Sequence, residues 1–141
     1  MQVAMTEQIQ SKPAVAPIVP EDLVGRVARH IKAKFQAESS GHDWHHINRV
    51  WRQARRIAEK EGANREIAEL GALVHDIADW KFHGGDDSIG PREAERLLAQ
   101  EGAAPEVIEQ VVDIVATISF KGAGVQTAMR TLEGKCVQDA D

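Results

Sequence analysis

A chain of 141 residues, 43% hydrophobic and 28% charged, is long enough for one domain with a real core and has the composition of an ordinary soluble protein. Its formal net charge of −5 argues against a nucleic-acid polymer as the main partner, because polymer binding needs a basic face to displace counterions. A small phosphorylated ligand stays compatible, since a metal ion and a few local cations can supply the positive field.

Cys136 is the single cysteine, so no internal disulfide can form. Nothing points to an oxidising compartment, and the expected location is cytoplasmic. Residues 1–20, MQVAMTEQIQSKPAVAPIVP, have no basic start followed by a long apolar run, and Pro13, Pro17 and Pro20 break their apolar stretches. They read as a flexible tail, neither signal peptide nor membrane span, ahead of a domain over 21–141.

From Glu21 to about Glu38, Leu23, Val24, Val27, Ile31 and Phe35 recur at helical spacing. Ser39, Ser40 and Gly41 stop that helix, and Asp43 is placed to cap the next. The second helix spans Trp44 to Glu61, burying Ile47, Val50, Trp51, Ala54, Ile57 and Ala58 and leaving Arg52, Arg55, Arg56 and Glu59 outside. His46 and Arg49 flank its apolar stripe and can border a cleft, whereas His45 projects about 100° away from His46. Gly62 ends it and Asn64 caps a third helix, apolar on nearly all sides, that should be the most buried. Gly71 inside that helix costs about 1 kcal/mol relative to alanine and implies close approach of a neighbour.

A loop from Asp79 to Gly90 follows, with Trp80 and Phe82 placed to pin its start to the core. Pro91 suits the first position of a fourth helix reaching Gln100. Pro105 opens a fifth to Phe120, with Val107, Ile108, Val111, Val112, Val115 and Ile118 facing inward. A last segment runs from about Gln126 to Asp141. Without alternating strand patterns, repeats, a P-loop, GxSxG or CxxC, the expectation is an all-α orthogonal bundle.

The chemistry concentrates in GALVHDIADWKFHGGDD, residues 71–87. A buried apolar helix there delivers His75 and Asp76, with Asp79, Lys81, His83, Asp86 and Asp87 close behind. Desolvating so many titratable groups is costly unless they are paired or bind a metal. The simpler alternative makes His75 a cap on the helix C-terminus and Asp76 the start of a turn. His46 from GHDWHHINRV and Asp141 from VQDAD add ligands from two other segments. Such a mixed nitrogen and oxygen set suits one divalent ion of the Mn, Fe, Co, Ni, Mg or Zn group better than a thiolate site would.

These stretches, together with IGP before a helix, ISFKG and LEGKCVQDAD, resemble the HD-domain metal-dependent phosphohydrolases, in particular their small bacterial members, over Glu21 to Asp141. Two consecutive residues His-Asp carry little information; the ordered set with its spacings carries much. The resemblance implies an HD-type helical bundle. It also implies metal ligands at His46, His75, Asp76 and Asp141, with Asp79 as a catalytic acid or base beside Asp76. Activity on a small phosphate ester or anhydride, most plainly a nucleotide, follows from the same source. Arg49, Lys81 and His83 are candidates for neutralising substrate phosphate. Family members usually continue past the last aspartate, so the sequence reads as lacking the C-terminal helices, and a non-catalytic ligand-binding or regulatory domain is the competing expectation. On that reading Asp141 would be a frayed, labile ligand. Apolar surface near Val111 and Ile118 would be uncovered, favouring a homo-oligomer.

Overall fold

A computed structural model describes residues 22–37, 44–78, 88–122 and 129–141. Six helices account for nearly all of them: α1 Leu23–Ala37, α2 Trp44–Glu61, α3 Arg65–Val74, α4 Ile89–Gln100, α5 Pro105–Gly122 and α6 Leu132–Ala140. The described residues contain no strand, so the bundle is all-α as expected. None of these helices is long and apolar enough to cross a membrane.

Local chemistry sets the helix ends. Asp22 accepts from the Gly25 amide at 2.8 Å and starts α1. Asn64 accepts from the Ile67 amide at 3.1 Å and starts α3. Gly62 and Gly102 follow α2 and α4 at φ 75° and 83°, conformations in which a side chain would be strained. Helix α4 begins at Ile89, two residues before the expected start at Pro91. Proline is tolerated there because amides of the first turn have no helical acceptor. Asp43, Trp80 and Phe82 lie outside the described residues.

Helix α3 is the axis of the bundle. Every residue from Ile67 to Val74 is buried, and α1, α2, α5 and α6 all pack on it. Leu70, Leu73 and Val74 have no exposed surface, and burial of each side chain contributes roughly 1.5–3 kcal/mol. Ile114, absent from the expected inward set, is also buried with Val111 and Val115, while Val107, Ile108, Val112 and Ile118 are only half-buried. Val111 thus faces inward as its spacing indicates and is not part of an uncovered apolar surface. The buried Glu69 carboxylate ties α3 to α2: Trp51 Nε1 donates to it at 2.8 Å, and Arg65 Nε lies 3.1 Å from its other oxygen.

Gly71 is a point of close approach by α6 and α5. A Cβ there would meet Val137 Cγ2 at 3.1 Å and Ile114 at 3.5 Å. Alanine would add about 1 kcal/mol of helix propensity, against an overpacking cost of roughly 1–3 kcal/mol. We expect Gly71→Ala to be net destabilising by about 1 kcal/mol and to lower the Tm by about 3 °C. An unchanged or higher Tm in a thermal melt would mean that Val137 yields freely.

Candidate metal centre

Three helix ends converge on one point. His46 comes from the first turn of α2, His75 is the residue that closes α3, and Asp141 follows α6. Asp141 is held by its own backbone, its amide donating to the Val137 carbonyl at 3.0 Å. Because α2, α3 and α6 pack mutually, the core that buries Leu73 and Val137 also fixes the relative positions of these three side chains.

His75 carries the clearest signal. Its side chain is 1% exposed, and Nδ1 lies 2.6 Å from the Ala72 carbonyl. A carbonyl can only accept, so Nδ1 bears the hydrogen and a neutral ring presents a lone pair at Nε2. Among the described residues, that Nε2 is buried with no hydrogen-bond partner. It faces Asp141 Oδ1 at 3.6 Å and Asp76 Oδ2 at 3.9 Å. A lone pair buried against two carboxylates is unfavourable unless a proton or a cation lies between them.

His46 Nε2 closes the group at 3.5 Å from the same Asp141 oxygen, and the ligand atoms of His46, His75 and Asp141 all lie within 4.8 Å of one another. Donors about 2.0–2.2 Å from a shared ion would sit about 3–4 Å apart, so the spacing fits with little adjustment. Asp76 stands at the rim, half-buried, in reach of His75 but outside that mutual set. His46 and Asp141 side chains are 40% and 41% exposed, so the cluster is dry on the α3 side and open on the other.

The charges are arranged to match. Burial opposes protonation of His75, but the Asp141 and Asp76 carboxylates and the Ala72 carbonyl outweigh it and raise its pKa above the ordinary 6.5. His75 holds the Asp141 carboxyl below its ordinary 3.8, against the opposing effect of burial, with His46 adding to the shift. In metal-free protein, the His75 contribution to stability is complete below about pH 6.5 and is lost as pH rises through its folded pKa. The Asp141 contribution is present above about pH 3.8 and is lost as pH falls through its folded pKa. In chelator, the Tm should therefore fall as the pH is raised from about 6 to about 8.5. A Tm that rises over that interval would contradict the assignment.

Of the other residues singled out in the sequence, Arg49 is exposed and its Nη2 lies 3.5 Å from His46 Nδ1, next to the cluster. Asp79, Lys81 and His83 lie outside the described residues, as do Asp86 and Asp87. Sequence reasoning missed the Ala72 carbonyl, which fixes the tautomer of His75; a histidine three residues after a helical carbonyl near a helix end is the available hint. Helix capping and metal ligation, posed as alternatives for His75, are compatible: the residue ends α3 and points Nε2 at the cluster.

The HD domain family matches residues 43–141. The Bacillus subtilis protein YpgQ is 41% identical over 107 residues, which are 74% of this chain and 51% of that protein. Its crystal structure in complex with ADP superposes with a TM-score of 0.58 at 39% identity, over 81% of this chain and 57% of that one. An HD-superfamily hydrolase from Bacillus thuringiensis gives a TM-score of 0.65 at 32% identity, covering 84% and 55% of the two chains. A Lactobacillus plantarum protein gives 0.71 at 27% identity, covering 88% and 57%. The chain thus spans about half the length of these relatives.

Proposed function

The chain belongs to the HD-domain family, and on that premise we propose that it is a divalent-metal-dependent phosphohydrolase acting on a small phosphate ester or anhydride, a nucleotide above all. The observation that carries this reading is the buried, partnerless Nε2 of His75, set against the Asp141 and Asp76 carboxylates with His46 alongside. His46, His75 and Asp141 would hold the ion, with Asp76 joining from the rim. When bound, such an ion would lower the pKa of a coordinated water toward neutrality and polarise a phosphoryl oxygen.

The protein's own groups do the rest. The Ala72 carbonyl keeps the His75 hydrogen on Nδ1, so the ring offers its lone pair without a tautomer change. Asp76, with its side chain 36% exposed, can accept a proton at the open side, and Asp79 is proposed as the acid or base for the attacking water or the leaving group. Arg49, Lys81 and His83 are proposed to neutralise phosphate charge. The nucleotide preference is supported by the ADP complex of the similar YpgQ.

Purified protein supplied with Mn, Co, Ni or Mg should release phosphate or pyrophosphate from at least one nucleotide, and Asp76→Ala should lose that release. The competing reading is a domain that binds its ligand without turning it over. Saturable nucleotide binding with no product under any of these metals would decide for it. Because His75 must be neutral to bind metal and the facing carboxylates favour its protonation, activity should fall as the pH is lowered. Undiminished activity at about pH 4.5 would count against a two-histidine site.

A further inference from the structure

Charge is distributed unevenly in this chain. Helix α2 carries five Lys and Arg against two Glu, a net +3, so the rest of the molecule carries −8. The cations are ordered along the helix. At 100° per residue, His45, Arg49, Arg52, Arg55 and Arg56 fall within an arc of about 120°, and all five are exposed. Among the described residues none of the four arginines makes an ion pair, although exposed Glu59 on the same helix pairs with Arg65 of α3. Arg56 only donates to Gln53, at 3.0 Å. His45, Asn48, Arg49, Arg52, Gln53 and Arg56 together line an open groove of about 310 Å³.

That groove adjoins the candidate metal cluster through Arg49. His46 lies about 60° round the helix from Arg49, and the Arg49 guanidinium reaches to 3.5 Å from the His46 ring. From Arg49 to Arg56 the helix rises about 10 Å, comparable with an extended triphosphate. Guanidinium groups suit phosphate because their planar forks donate two parallel hydrogen bonds to its oxygens.

We propose that the Arg49, Arg52 and Arg56 face of α2 is a docking strip for an oligophosphate, holding the part of the substrate that extends away from the cluster. The substrate class is then a molecule with consecutive phosphates, such as a nucleoside triphosphate, in preference to a monoester with one phosphate. This rests on the phosphohydrolase reading only for the identity of the cargo; the anion site itself is a property of α2. A strip of this length covers too few phosphates for a polymer, and the negative remainder of the molecule would repel one.

The test uses the intact chain with chelator present, so that no metal contributes, and inorganic tripolyphosphate as the titrant in a calorimeter. Arg52→Gln/Arg56→Gln should weaken tripolyphosphate binding about tenfold. Lys32→Gln/Lys135→Gln, which removes the same charge from exposed positions on α1 and α6, should change it less than about twofold. Equal losses in both double variants would reduce the effect to net charge and overturn the strip, as would no loss in either. Tighter binding of a short single-stranded oligonucleotide than of tripolyphosphate would also overturn it, in favour of a polymer site. The two proposals fail separately: strip-dependent binding with no nucleotide hydrolysis under any metal removes the enzyme and keeps the strip. Hydrolysis of a triphosphate whose KM is unchanged in Arg52→Gln/Arg56→Gln removes the strip and keeps the enzyme.

Discussion

His75→Ala is expected to lose metal binding by a factor of about 100 or more and, with it, any phosphate release. The size of the effect follows from the burial of His75. A ligand on the surface can be replaced by water or by a neighbouring carboxylate, but the His75 ring occupies a dry position at the end of α3, where only its Nε2 faces the cluster. The fold should survive. Truncating a core side chain costs roughly 2–5 kcal/mol, within the roughly 5–15 kcal/mol that holds a domain folded. His75→Gln, closer in volume, guards against a folding artefact. The measurement is Tm with and without metal. At a metal concentration about 100 times the Kd, binding adds about 2.7 kcal/mol, or roughly 9 °C for a chain of this size. Both variants should show almost no shift. A shift as large as that of the unaltered protein would remove His75 from the site.

The legible part of this molecule was the part governed by short-range rules. Helix α2 runs from Trp44 to Glu61 as its apolar stripe indicates, Asn64 caps α3, and Gly71 sits under a neighbouring helix, because caps, periodicity and small residues act within a few residues of themselves. The residue types offered His46, His75 and Asp141 as one ligand set, and the resemblance added their roles. No local rule says that the start of α2 and the ends of α3 and α6 meet; that depends on how four helices pack around α3. Ile114 is absent from the inward set read from the sequence because the rotation of α5 about its own axis is set by α3 and α4, and α5 is apolar on too many sides to reveal its orientation alone. Asp76, equal to the other ligands in the motif, stands at the rim because it lies past the last turn of α3, where the chain is already leaving the core.

Asp141→Ala should weaken metal binding by about tenfold or more, about 1.4 kcal/mol, with Asp141→Asn between the two because it keeps an oxygen and loses the charge. From the sequence, the opposite was expected: a final residue is ordinarily frayed, and ordering its backbone costs about 1–2 kcal/mol. The structure removes most of that cost. Thr131 caps α6 by accepting from the Gly134 amide at 3.0 Å, Cys136 and Val137 are buried, and the Asp141 amide is bonded to Val137. The backbone is therefore positioned by packing before any ion arrives, and only the short aspartate side chain remains to be ordered. Its Oδ1 already stands 3.5 Å and 3.6 Å from the two histidine Nε2 atoms, held there by the charge that lowers its own pKa. Calorimetric titration of Mn or Co into the unaltered chain and the two variants gives the comparison. A loss of less than about threefold in Asp141→Ala would show that α6 does not deliver this carboxylate to the ion, and that His46, His75 and Asp76 hold it without help.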